Sequence, residues 1–311
     1  MKERGLLWLL FALLLILPPF LDEYLRHLLV SSLTLALLAV GWNLLGGFAG
    51  QVSFGHAAFF GLGAYGAGIL SKAGLDPWLA LFLGGGVAFL GSVVALPILR
   101  LHGAYFALAM LAYAEVLRTL AILLEGLTGG AAGLFSIPGL YLPGVDFGAK
   151  LANLYVILGL LLVGVGVAFR VRYGPLGLGL AALGEEEAAR AGGVPVFRLK
   201  AQALFLSAFF SGLAGAFQAL YIRFLEPPYA FSLEWSVYPL VASFLGGRGT
   251  VVGPILGTLG LYLGAELGVK QVLERGYHIA TGALVVLVVL FLRRGVFGFL
   301  EGRYAVVRPR G

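Results

Sequence analysis

Residues 151–200 read LANLYVILGLLLVGVGVAFRVRYGPLGLGLAALGEEEAARAGGVPVFRLK. The run 151–169 carries no charge and is close to the roughly 20 residues that cross a hydrocarbon layer of about 30 Å. Residues 172–200 are the one long polar, basic-ended stretch in the chain, and an apolar run resumes at residue 201. Inside lipid every backbone N–H and C=O must be satisfied within the segment, so runs of this length are helices. This region therefore sets the expected plan: membrane-spanning helices with a compact polar segment between two of them.

Composition extends that plan to the whole chain. Hydrophobic residues make up 60% and charged residues 12% of the 311, with a mean hydropathy of +0.98, far from the about 45–50% apolar and 25% charged content of soluble domains. The expected fold is an all-α polytopic membrane protein of about eight to ten transmembrane helices, in a single transmembrane domain over 1–311. The apolar runs lie near 5–21, 28–45, 52–71, 77–99, 103–124, 151–169, 201–222, 236–246, 251–269 and 279–292. Segment 236–246 is too short to cross as a regular helix, which makes it one arm of a broken or re-entrant element packed inside protein. The first run follows Lys2 and Arg4, lacks a small-x-small cleavage site and ends at Pro18-Pro19, so it reads as an uncleaved span.

Lysines and arginines set the expected orientation. With the N-terminus in the cytoplasm, fourteen fall inside, among them Lys2, Arg4, Arg170, Arg172, Arg190, Lys200 and the arginines after residue 292; six fall outside, and Arg118 lies within a span. Both termini are thus expected in the cytoplasm, along with the loop at about 170–200 and the basic tail 293–311. The net charge of +6 is an orientation signal facing anionic lipid and implies no nucleic acid. The chain has no Cys, which excludes disulfides and thiol chemistry.

Glycine, 48 residues of it, is concentrated in the spans. Gly253 and Gly257, then Gly260 and Gly264, form one small-residue stripe and Ser207, Ser211, Gly215 and Ala219 another; such stripes let helix backbones approach closely, either within the chain or in a dimer. The segments 44–68 and 244–266 echo each other, each with Leu-Gly-Gly before a glycine-spaced helix. That suggests two places where a helix breaks at membrane depth and frees backbone amides for a zwitterionic solute.

Two polar constellations lie inside the apolar runs. Glu115 and Arg118 are three apart on one helix and share a face, as a substrate-path element or a structural ion pair. Asn43, Gln51, Ser53 and His56 surround the first break and point to a translocation path, the other reading being interhelical hydrogen bonding. In the polar loop, Glu185, Glu186 and Glu187, followed by Ala188, Ala189, Arg190 and Gly192, have the charge and small side chains of a helix that docks into a groove on a separate motor protein; a solvated helix start accounts for the acids equally well. No Lys follows a Gly anywhere, so the chain has no phosphate-binding Gly-Lys motif. The four histidines are far apart and no metalloprotease or nucleophile-elbow motif occurs, leaving no expected catalytic or metal site.

The blocks GQVSFGHAAFFGLGAY (50–65), HGAYFALAMLAYAEVLR (102–118), LTGGAAGLFSIPG (127–139), the loop 172–200, SAFFSGLAGAFQAL (207–220) and FLGGRGTVVGPILG (244–257) resemble, in order, the branched-chain amino-acid ABC importer permeases, and the LTGGAAGL block resembles the longer of their two paired subunits. The resemblance implies a non-enzymatic permease in a bacterial or archaeal inner membrane, carrying branched-chain or other hydrophobic amino acids. It also implies a sister permease, two cytoplasmic subunits that bind ATP and Mg, and an extracytoplasmic solute-binding protein. One departure is that residues 177–182 read GLGLAA where such permeases carry basic residues before the acidic cluster. The competing reading is a self-sufficient secondary carrier or channel for a small polar solute, with a membrane enzyme third.

Overall fold

The computed structural model describes residues 2–148 and 150–269; the apolar run 279–292 and the basic tail lie outside them. Among the described residues the chain is helical, with isolated bridges at Leu134–Leu225 and Leu142–Val145 as its only β pairing. The α-helices longer than four residues are α1 (Lys2–Ile16), α2 (Glu23–Asn43), α3 (His56–Lys72), α4 (Pro77–Val94), α5 (Gly103–Leu123), α6 (Leu151–Tyr173), α7 (Pro175–Ala182), α8 (Glu186–Ala191), α9 (Val196–Ile222), α10 (Glu234–Gly246) and α11 (Gly253–Gly264). Five, namely α2, α4, α5, α6 and α9, are long and apolar enough to cross a bilayer. The protein is a polytopic helical membrane protein, as the composition requires.

Helix ends follow local chemistry more closely than the apolar runs do. Pro18 and Pro19 form a short turn, so the first helix stops at Ile16 where its apolar run continues to 21. Asp22 starts α2 earlier than its run suggests, accepting a hydrogen bond from the Leu25 amide at 2.8 Å. Asp76 caps α4 through the Trp78 and Leu79 amides, with Pro77 in the first turn, where its missing N–H costs nothing.

The core is built where glycines let helices touch. A Cβ on Gly63 of α3 would strike the backbone of Gly212 in α9, and one on Gly212 would strike Ala88 of α4. Gly41 of α2 faces Ser211 of α9, and Gly215 faces the Phe60 carbonyl of α3. Helix α9 is thereby the hub for α2, α3 and α4, and its apolar stretch is 83% buried, against 22% for α5.

The second stripe behaves differently along its length. Gly253 abuts Gly247 and Thr250, and Gly257 abuts the Ala242 carbonyl of α10, whereas among the described residues nothing lies within contact distance of a Cβ on Gly260 or Gly264. The α10–α11 hairpin is tight at its turn and opens away from it, so among the described residues only half of the stripe is a seam. Helix α10 has 13 residues and reaches about 20 Å at 1.5 Å per residue. It is a half-length element whose Ser236, Leu240, Val241 and Ser243 are buried, which satisfies the requirement that so short a segment be enclosed by protein.

Candidate functional site

Both expected helix breaks exist, and they meet. After α2 the chain makes one wide turn at Leu44–Phe48 and runs without helix to Gly55; after α10 it turns through Gly247–Val252 into α11. Asn43 joins the two: its amide nitrogen donates to the Thr250 carbonyl at 2.8 Å and its oxygen accepts from the Gly249 amide at 3.0 Å. The Trp42 indole N–H donates to the Ser53 carbonyl at 2.9 Å.

Two amides at the first break and the helix start after it are taken by serine hydroxyls. Ser53 Oγ accepts from the Gly55 amide at 3.1 Å, and Ser236 Oγ, from α10, accepts from the Ala57 amide at 2.9 Å. His56 is fully buried with Nε2 2.8 Å from Ser207 Oγ. Of the four polar residues around this break, Asn43, Ser53 and His56 are buried and only Gln51 is half-exposed. In this conformation serines knot the break, and the Ala57 amide becomes available only if α10 withdraws Ser236. Ser207 and Ser236 were absent from the sequence reading of this site; Ser207 belonged to the α9 stripe, and nothing local marks Ser236.

Glu115 and Arg118 do pair. Arg118 Nε lies 3.1 and 3.0 Å from the two carboxylate oxygens of Glu115, and its Nη2 contacts Oε1 as well. Among the described residues the pair does not bridge to a second helix. It lies along α5 on a face that the other described residues leave open, with the side chains 57% (Glu115) and 35% (Arg118) exposed. It borders a cavity of about 180 Å³ whose other walls are Phe54 and Ala57 beside the first break, Leu111 and Ala114 of α5, and Pro228, Phe231, Ser232 and Leu233 before α10. Drug-sized sites run to about 300–1,000 Å³, so this one suits a smaller solute. Three elements that are distant in sequence thus bring charge, aromatic surface and a helix break together.

The polar loop folds into α7, a short turn and α8, and its acidic trio divides. Glu185 and Glu187 are exposed, while Glu186 points inward. Lys200 Nζ, on a side chain only 1% exposed, lies 2.6 Å from Glu186 Oε2. Arg190 Nη2 lies 2.5 Å and His102 Nε2 3.2 Å from Oε1. Partial burial alone would raise the Glu186 pKa, but the hydrogen bonds from Lys200 and His102, with their charges, outweigh it and hold the carboxyl down at about 2.

Ala189 also turns inward, whereas Ala188, Ala191 and Gly192 are exposed. The open face of α8 therefore consists of Glu187, Ala188, Ala191 and Gly192, continuous with Glu185. The glycine with a backbone requirement is Gly193, at φ 78°, a conformation other residues adopt only with strain; Gly192 is not constrained in that way. Lys200 and His102 were missed as partners of the trio. Lys200 did leave a signal, since it shares a stripe with the buried Val196, Leu204 and Ser207 of α9, where a lone cation requires a counter-charge.

Comparison with known proteins supplies the family. Residues 24–293 match the family model described as the permease component of a branched-chain amino acid transport system. The chain is 30% identical over 286 residues to the high-affinity branched-chain amino acid transport system permease protein LivM of Salmonella typhimurium, covering 84% of this chain and 67% of that one. It is 29% identical over 295 residues to LivM of Escherichia coli, covering 86% and 69%. No solved structure matches significantly.

Proposed function

Since the chain belongs to the family of branched-chain amino acid transport permease components, and so is a permease subunit of an ABC importer, we propose that the open face of α5 lines the path of a branched-chain or other hydrophobic amino acid. The observation that carries this is the Glu115–Arg118 pair. Charges in a spanning helix are expensive against lipid and belong beside water or protein, yet these two stand on the outward side of a helix that the other described residues hardly cover. A sister permease across that face completes the path.

The chemistry fits a zwitterion. A guanidinium accepts a carboxylate in a two-pronged geometry, and Glu115 complements an ammonium group. In the structure each neutralises the other, so the pair is latched; an incoming amino acid exchanges its own carboxylate and ammonium for that contact and lays its apolar side chain against Phe54, Leu111 and Phe231. Exchange of one ion pair for two similar ones makes a shallow site, as transport requires.

In the proposed orientation both termini and α8 face the cytoplasm of a bacterial cell. The exposed Glu185, Glu187, Ala188 and Gly192 meet one of two ATP-binding subunits, and the loaded solute-binding protein docks on the opposite side. ATP and Mg are held by those subunits. The test uses the reconstituted importer with loaded binding protein: Arg118→Gln and Glu115→Gln should each cut leucine uptake at least about tenfold while the ATPase still co-purifies. Wild-type uptake in both variants would remove the pair from the path, and uptake by this chain in vesicles without any ATPase would instead support the carrier reading.

A further inference from the structure

We propose that Glu186 is the linkage through which movement of α8 reaches the membrane helices, and that it takes no part in gripping the ATPase. This rests on the reading of α8 as the ATPase-facing helix and adds to it a division of labour within one acidic trio. Glu185 and Glu187 are exposed and stay available to a partner. Glu186 is turned away, and its two oxygens are taken by three basic groups from three places: Arg190 within α8, Lys200 in the first turns of α9, and His102 immediately before α5.

Each of those anchors leads somewhere. Lys200 lies two turns before Ser207, which holds His56 at the start of α3 through a 2.8 Å hydrogen bond. His102 precedes α5, the helix that carries Glu115 and Arg118. A displacement of α8 therefore pulls at one point on the hub helix beside the knotted break and on the helix that lines the cavity. A short connection through a buried ammonium transmits such a pull because its length cannot relax without stranding a charge. Ala189, packed inward beside Glu186, keeps the helix seated while the carboxylate holds register. Nothing comparable joins Glu185 or Glu187 to the membrane helices: no ion pair to either is present among the described residues.

The test is stimulation of ATP hydrolysis by loaded binding protein in the purified importer. Glu186→Gln should abolish most of that stimulation, and the Glu186→Gln/Lys200→Met double variant, which leaves no stranded charge, should restore folded yield without restoring stimulation. In contrast Glu187→Gln should weaken co-purification of the ATPase. Full stimulation in the double variant would reduce the pair to a structural contact and overturn the proposal. Failure of the ATPase to co-purify with the wild-type chain would instead overturn the ABC reading itself.

A second measurement needs no change at Glu186 or Lys200. Spin labels at Gly184→Cys and Tyr105→Cys, the only cysteines in the chain, should keep a constant separation between the nucleotide-free and ATP-bound importer, because the linkage moves the loop and the start of α5 as one body. A separation that changes between those states contradicts it.

Discussion

Two carboxylates in this chain are held by basic side chains in opposite ways. Glu115 meets a cation three residues away on its own helix and stays largely exposed, whereas Glu186 collects basic side chains 4, 14 and 84 residues away and ties three segments together. The first arrangement leaves both partners free to exchange for a ligand. The second cannot be opened without stranding the buried Lys200. The contrast teaches that an ion pair's use is set by what encloses it: an open pair suits a site of passage, and an enclosed one suits a mechanical joint.

The contrast breaks most visibly at Glu186. Removing its charge leaves Lys200 buried and unpaired, at a cost of about 3–5 kcal/mol, so thermal unfolding of the Glu186→Gln variant in detergent should show a large drop in midpoint. The pH dependence has a definite sign. A depressed carboxylate pKa contributes attachment that is complete above the ordinary value of about 4.3 and is lost as pH falls from there toward about 2. A spin label at residue 184 should therefore be restrained at pH 7 and pH 5 and become mobile only well below 4. Mobility that changes between pH 7 and pH 5 would show that another group controls the loop.

A middle-sized effect separates the closed core from the open stripe. Gly212→Leu drives a side chain into α4, where overpacking costs about 1–3 kcal/mol or more, and should lower folded yield and midpoint. Gly260→Leu meets none of the described residues and should leave both unchanged. Equal losses would mean that the α10–α11 hairpin closes along its whole length.

The smallest stability effect is expected at the open pair. Glu115→Gln should change the midpoint by no more than about 0–1 kcal/mol, the range for exposed pairs, even though uptake falls. A loss of several kcal/mol in the isolated chain would place the pair in a closed interior after all.

Much of this organisation is legible in the sequence, for reasons that particular residues make clear. Hydrocarbon thickness fixes span length, so α4, α5 and α6 emerge near their apolar runs, and Glu115 and Arg118 pair because spacing on a helix places them on one face. What spacing does not carry is which side of a helix its neighbours cover. The same stripe contains Gly257, pressed against α10, and Gly260, which meets no other described element, because periodicity defines a face and not the length of its partner. The inward turn of Glu186 depends on Lys200 and His102, which only the tertiary fold delivers. The two breaks were visible as glycine-rich echoes, but their junction through Asn43 required residues 207 apart in sequence to meet.

The measurement that bears most directly on the central claim is water access to the open face of α5. The chain has no native cysteine, so Ala112→Cys and Thr119→Cys, both on the exposed side of α5, can be probed singly in the assembled importer with a membrane-impermeant thiol reagent, using Leu90→Cys on the exposed face of α4 as the lipid-facing control. If this face lines the path, both α5 cysteines react, their rates change between nucleotide-free and ATP-bound states, and the α4 cysteine stays unreactive. Unreactive α5 cysteines in every state would contradict the account, because Glu115 and Arg118 would then lie against protein or lipid and not beside the moving solute.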